Sequence, residues 1–215
     1  QELQRLIGAL ATVIPLPFAS GDPAFTEAGD ERGDTVQEIA VAKAVDWSLL
    51  LAARGLPSLT IASDGGLHIP ALGSKWAPQR TRRFAGEHAS DLERSRRLLE
   101  LAQDLTGEDR NISWREAVGI ADRGQLVGAW SATGTPGRLA RAVREDLLDR
   151  STGFWIPTVW ETPKFGFRRL AELAPDEREQ LGDHWAALRE PVRTALSRYL
   201  AERNLSKTGP RQSDR

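Results

Sequence analysis

The chain has 215 residues, with 29 basic and 30 acidic side chains and a formal net charge of -1. That balance supplies no global field for nucleic acid or an anionic membrane, so neither is expected as a partner. Hydrophobic residues make up 40% and cysteine is absent, which suits a globular protein and excludes disulfides, thiolate nucleophiles and Cys-based zinc sites.

Leu3, Leu6, Ile7 and Leu10 recur at helical spacing over residues 1–11. Residues 12–16 form a short apolar run that reads as a strand, ending at Pro15 and Pro17. Residues 18–34 are rich in Gly, Pro, Asp and Glu and read as loop. A helix is expected from Thr35 to about Arg54, stopped by Gly55 and Pro57. Residues 58–62 and 67–69 read as two strands pinched by a turn at Ser63-Asp64-Gly65-Gly66. Ser90 with Glu93 forms a capping-box pattern that opens a helix to about Leu105. Residues 112–121 and 125–132 alternate as paired strands around Asp122-Arg123-Gly124. Leu139, Val143 and Leu147 have helical spacing over 138–150, and residues 153–160 are aromatic and β-branched, as a strand would be. Residues 170–205 read as helix in at least two pieces, split by Pro175 and Pro191. Residues 204–215 form a polar tail expected to be disordered. Alternating helices and strands imply an α/β protein, with one domain over 1–203.

Several residues have chemistry worth weighing against a plainer role. Glu38 follows Thr35 by three positions, so it is either the return half of a capping box or a carboxylate free to bind a metal ion. Asp64 precedes two glycines, as a turn opener does, or as a carboxylate that positions an attacking water. Lys43 lies five residues after Glu38, outside the favoured i,i+4 ion-pair spacing; it is a phosphate-binding point charge or part of a solvated face. Phe154 and Trp155 are core or a stacking pair. His68 and His88 have no ligand spacing and read as structural.

The motifs around these residues resemble the inosine triphosphate pyrophosphatase family. Thr35, Glu38, Ala40, Lys43 and Ala44 match its T-F-x-E-N-A-x-x-K-A, with Ile39 in place of Asn. Asp64, Gly66, Leu67, Ala71, Leu72 and Gly73 match D-D-S-G-L-x-V-x-A-L-G-G, with Ser63 and Gly65 departing. Arg83-Phe84-Ala85-Gly86 stands for R-Y-A-G. Gly153-Phe154-Trp155-Ile156-Pro157 is a shortened G-F-G-[YW]-D-P without its Asp. Residues 178–188 align with K-N-x-I-S-H-R-G-x-A-L, placing Arg178 on the Lys; His184 falls on the family Arg, or on its His after a one-residue shift.

The resemblance implies a two-lobed fold: a long twisted mixed sheet flanked by helices, with a nucleotide cleft between the lobes. It implies Mg²⁺-dependent cleavage of purine nucleoside triphosphates such as ITP or XTP to the monophosphate and pyrophosphate. Asp64 would be catalytic and, with Glu38, hold Mg²⁺. Lys43, Arg178 and His184 would grip phosphates, and Phe154 and Trp155 would flank the base. A homodimer is implied too. A catalytically degraded nucleotide-binding protein on the same fold is the alternative, because the altered motifs touch the chemistry. The family's T-x-N-x-x-K segment is expected before Gln1. With no signal-peptide pattern and no long apolar run, a cytoplasmic address is the expectation.

Overall fold

The register of one long strand decides where everything else sits. In the computed structural model, which describes residues 1–16, 32–150, 154–182 and 184–207 (side chains at 149, 150, 206 and 207 excepted), six strands form one sheet. They are Thr60–His68 (β1), Asn111–Asp122 (β2), Gln125–Thr133 (β3), Gly137–Leu139 (β4), Trp160–Thr162 (β5) and Arg168–Arg169 (β6). The α-helices are Glu2–Ile7 (α1), Val36–Ala53 (α2), Asp91–Leu101 (α3), Ile156–Val159 (α4), Pro175–Leu181 (α5) and His184–Lys207 (α6).

β2 pairs with β1 and with β3, so it is central, and the α/β class holds. The expected mixed sheet does not: every strand pair among the described residues is antiparallel. The chain leaves the sheet at His68 and re-enters at Asn111, near the same end, because His68 lies opposite Ser113. A return at the end of departure forces the antiparallel sense. After β3, the Gly134 N–H donates to the Trp114 carbonyl at 2.8 Å, and Gly137 then pairs with Ile112, one residue out of step. Residues 134–136 therefore bulge away from β2.

Alternation along β2 sends Ile112, Trp114, Glu116, Val118 and Ile120 to one face, and Arg115, Ala117, Gly119 and Ala121 to the other. α2 covers the second face. Its cap is the expected box: Thr35 Oγ1 accepts from the Glu38 N–H, and the Glu38 carboxylate accepts from the Thr35 N–H. Ala40 packs on Ala117, and a Cβ on Gly119 would stand only 2.7 Å from the Ala40 carbonyl oxygen. The first face serves two cores. Ile112 joins Leu67, Leu98, Trp155 and Trp160, whereas Val118 and Ile120 join Leu6, Ile7, Leu188 and Val192.

The two short strands expected around Ser63–Gly66 are one strand. Ser63, Asp64, Gly65 and Gly66 stay in register with Val118, Ala117, Glu116 and Arg115. These glycines serve close approach rather than a turn: a Cβ on Gly65 would strike Glu116 Oε2, and one on Gly66 the Pro78 carbonyl. The β2–β3 hairpin is as expected, with Arg123 (φ 52) and Gly124 (φ 76) both left-handed in its turn.

Other expectations change. Residues 11–16 hold no strand, and residues 138–150 are β4 followed by a 3₁₀ turn at Glu145–Arg150. The expected strand at 153–160 is instead α4, opened by Pro157 in its first turn, followed by β5. Pro175 starts α5, but α6 runs unbroken through Pro191 and on to Lys207, so the polar tail is partly helix. The loop at 18–31, Gly153, Asp183 and residues 208–215 lie outside the described residues.

Two polar clusters fix the ends. Asp122, at the β2 terminus, accepts from Ser58 Oγ, Tyr199 Oη and Arg203, tying α6 to the hairpin. Arg193 donates to the Leu6 and Arg5 carbonyls, tying α6 to α1. Arg110 is only 2% exposed and donates to the Ala102, Leu105, Leu139 and Ala140 carbonyls. It closes the C-terminal end of α3 against β4. Replacing Arg110 with Met strands these buried acceptors, each worth about 1–3 kcal/mol when left unmade. We expect Arg110→Met to cost at least about 3 kcal/mol and lower Tm by roughly 6–12 °C, read by thermal melting followed by circular dichroism.

Candidate functional site

Between the two cores the first face of β2 carries Trp114 and Glu116, and the packing opens. The bulge at 134–136, the approach to α4 and the α5–α6 junction stand back from β2 and leave a cavity of about 430 Å³. That lies within the roughly 300–1,000 Å³ usual for small-molecule sites. Trp114, Phe154, Trp160 and Trp185 provide aromatic walls, and among the described residues Glu116, Arg178 and His184 are the charged or titratable groups on its lining.

Glu116 sits at the floor, 6% exposed. Its Oε2 accepts from the Trp114 indole N–H at 2.9 Å, the Ser63 hydroxyl hydrogen-bonds to it, and His184 Nε2 stands 3.8 Å from Oε2. Burial pushes the carboxyl up to about 7, held back by the hydrogen bonds from Trp114 and Ser63. The charge of Asp64 adds to the rise and that of Lys43 opposes it.

Asp64 is the next residue along β1 from Gly65, the partner of Glu116, so it projects to the opposite face, towards α2. There Lys43 Nζ donates to Oδ1 at 2.7 Å. Oδ2 is buried without a hydrogen-bond partner. Burial raises the Asp64 pKa, against the hydrogen bond and charge of Lys43. Asp64 thus lies in mid-strand, not on the turn read from the sequence.

Each of the remaining candidate residues has a definite place. Glu38 is exposed; its Oε2 accepts from the Asp34 N–H at 2.8 Å and the Thr35 N–H at 3.1 Å, and these bonds lower its pKa. Its carboxylate is engaged at the helix start, while that of Asp64 is engaged by Lys43. No group of three or more His, Cys, Asp or Glu side chains placed to hold a metal ion occurs among the described residues. Arg178 is exposed at the cavity rim, where it donates to the Leu173 carbonyl at 3.1 Å and the Ala171 carbonyl at 3.2 Å. His184 opens α6 and lines the cavity beside Trp185. Phe154 lines it too, edge-to-face on Trp114 at 5.2 Å. Trp155 does not: it is 3% exposed, packs near Phe84 and belongs to the first core, so the expected base contact from it is corrected.

The structure therefore gathers Phe154, Arg178 and His184 around one cavity, and Lys43 and Asp64 on the far face of the sheet. Glu116 and Trp114 were missed in the sequence. A signal existed: Glu116 is the only charged residue in the inward phase Ile112, Trp114, Glu116, Val118, Ile120.

Residues 1–193 match the Ham1 family. The chain is 32% identical to a protein named dITP/XTP pyrophosphatase from Coxiella burnetii over 175 residues, 78% of each chain. It is 24% identical to a protein of the same name from Thermoanaerobacter sp. over 186 residues, 86% of this chain and 84% of that one. A solved HAM1 protein from Coxiella burnetii superposes with a TM-score of 0.63 at 28% identity, covering 92% of both chains. The likeness read from the motifs agrees with these matches.

Buried Glu116 also makes stability depend on pH. Its folded pKa of about 7 exceeds the usual 4.5, so the folded chain holds the proton more tightly. Stability therefore falls as pH rises from about 4.5 to 7, by up to about 3 kcal/mol. Glu116→Gln removes that charge. We expect it to raise Tm relative to the parent at pH 8 and to leave Tm little changed at pH 4.5, measured by calorimetric melts at both values.

Proposed function

The chain belongs to the Ham1 family, and from that membership we propose that it is a nucleoside triphosphate pyrophosphohydrolase. It acts on (deoxy)purine nucleoside triphosphates such as ITP and XTP, releasing the monophosphate and pyrophosphate. The observation that carries this reading is the 32% identity, over 78% of the chain, to a relative named dITP/XTP pyrophosphatase. The aromatic-walled cavity supports it, being of a size and character that suit a nucleoside.

In this reading Phe154 flanks the base, while Arg178 and His184 meet phosphate at the rim. Arg178 can do so bidentately once it releases its carbonyl partners. Asp64 orients the attacking water and takes its proton through Oδ2, the oxygen left without a partner. Water adds to the α-phosphorus and pyrophosphate departs with the bonding electrons. Lys43 keeps Asp64 biased towards the ionised form and adds positive charge for the polyphosphate.

Mg²⁺ is the cofactor of this proposal. Its fit rests on the same orphaned carboxylate oxygen, since Mg²⁺ binds through one or two carboxylates together with substrate phosphates and water. Asp64 would hold it, and Glu38 would join only by giving up its helix cap. When bound, the ion supplies charge neutralisation at the phosphates. A homodimer, on the strength of the family resemblance, and a cytoplasmic setting complete the proposal. No helix among the described residues is long and apolar enough to cross a membrane.

A second reading, a nucleotide binder that has lost its chemistry, is favoured by one observation. Asp64 and the cavity floor lie on opposite faces of the sheet, so a nucleotide seated in the cavity must carry its polyphosphate past β1 to reach Asp64. Pyrophosphate release from ITP and XTP with Mg²⁺, run beside calorimetry of nucleotide binding, separates the two. The hydrolase reading expects turnover that Asp64→Asn lowers by roughly 100-fold or more while binding persists. Heat of binding without any pyrophosphate from the parent chain, under conditions where the Coxiella relative turns over, leaves the binder.

A further inference from the structure

We propose that the second face of the sheet carries a separate anion site, in which Arg115 and His68 hold a phosphate-class anion such as inorganic phosphate or pyrophosphate. The site goes beyond the nucleotide reading above and does not depend on it.

A cavity of about 310 Å³ opens where the start of α2 meets the ends of β1 and β2 and the segment 70–79. That volume falls at the small end of the usual range for ligand sites. The cavity shares no lining residue with the one around Glu116. Asp64 and Lys43 do not line it either, because the Pro78 backbone stands over Gly66, between Asp64 and His68 on β1.

Two basic side chains converge on this space. His68 pairs with Ser113 and Arg115 with Gly66, so the two are diagonal neighbours on one face of adjacent antiparallel strands. Such neighbours stand about 7–8 Å apart, within reach of a long side chain. They sense each other: burial lowers the His68 pKa, and the charge of Arg115 lowers it further. Neither side chain makes a hydrogen bond or an ion pair among the described residues. Asp34, the one carboxylate among the described residues of the lining, is exposed and forms no ion pair with Arg115. Glu38 turns its carboxylate to the Asp34 and Thr35 N–H groups and is not on the lining.

Arg115 therefore presents a full charge and a fork of N–H donors to a cavity that holds no paired acceptor for them. That fork matches two oxygens of a phosphate at once, and the imidazole adds a donor beside it. Gln79 and Thr35 bring neutral donors to the same lining. A metal cation would meet the guanidinium charge instead. The walls are held in place: Trp76, 6% exposed, donates its indole N–H to the Leu67 carbonyl at 2.6 Å, and the Pro78 carbonyl accepts from Thr81 Oγ1 at 2.6 Å. An anion seated between Arg115 and His68 offsets the repulsion that the two otherwise exert on each other.

Calorimetric titration of the full chain with sodium phosphate and with sodium pyrophosphate, at fixed ionic strength and without divalent metal, tests this. We expect at least one of the two anions to bind. Arg115→Gln should weaken it roughly 10- to 100-fold and His68→Gln by less, while Arg178→Gln, at the rim of the other cavity, leaves it unchanged. Arg115 is exposed, so the fold should survive its replacement, and melts of each variant check this. Arg115→Lys, which keeps a point charge, should recover part of the affinity. Titrations repeated with ITP or IMP present separate the sources of the anion. Displacement of pyrophosphate by ITP and not by IMP assigns the site to a nucleotide's phosphate tail, and displacement by neither assigns it to the free anion; both sustain the proposal. Absence of binding by both anions, binding that Arg115→Gln leaves intact, or binding that Arg178→Gln abolishes overturns it, whether or not the chain hydrolyses nucleotides.

Discussion

The pairing of Gly65 with Glu116 is the constraint on which the rest depends. Side chains alternate with a period of two, so this one register assigns Glu116, Trp114 and the cavity to one face of the sheet. The same register assigns Asp64 to the other face, with Lys43 and α2. A slip by a single residue would bury Asp64 among aromatic rings and press Glu116 on the helix. The register is protected by shape as well as by hydrogen bonds. Gly119 admits the α2 backbone, Gly65 admits the Glu116 carboxylate and Gly66 admits Pro78, and none of these positions tolerates a neighbour's side chain.

The electrostatics follow from that assignment. A half-buried and a buried carboxylate, Asp64 and Glu116, stand close together along neighbouring strands, and the charge of Asp64 raises the cost of ionising Glu116. They are relieved differently. Asp64 has a full ammonium at hydrogen-bond distance, whereas Glu116 has neutral donors from Trp114 and Ser63 and an imidazole just beyond reach. The sheet thus keeps a cation-paired acid on one side and a weakly compensated one on the other. Groups of equal type acquire distinct tasks when their surroundings push their pKa values apart.

Much of this was legible from the residues. The capping boxes at Thr35 and Ser90 and the hairpin around Arg123-Gly124 are local events, set by neighbours a few positions away, and they were read correctly. The errors share a cause. Gly65 and Gly66 look like a turn because glycine permits one, yet here glycine is needed for tertiary contact, which sequence spacing does not display. Leu139, Val143 and Leu147 keep helical spacing, but Leu139 is claimed by β4, between β2 and β5 and opposite Trp160. Trp155 belongs to the core because Phe84 and Trp76 arrive from a distant segment. Glu38 shows the opposite case, where the plain local reading of a capping residue is the one the backbone uses.

The 24 residues of α6 span about 36 Å at 1.5 Å per residue. His184 stands at one end of this rod, and Tyr199 and Arg203 grip Asp122 near the other, with Arg193 fastened to α1 between them. The rod is therefore anchored at the hairpin clamp and at Arg193, and its Leu188, Val192 and Leu196 are set in the core. The position of the imidazole at the cavity mouth is thus inherited from contacts made far along the same helix.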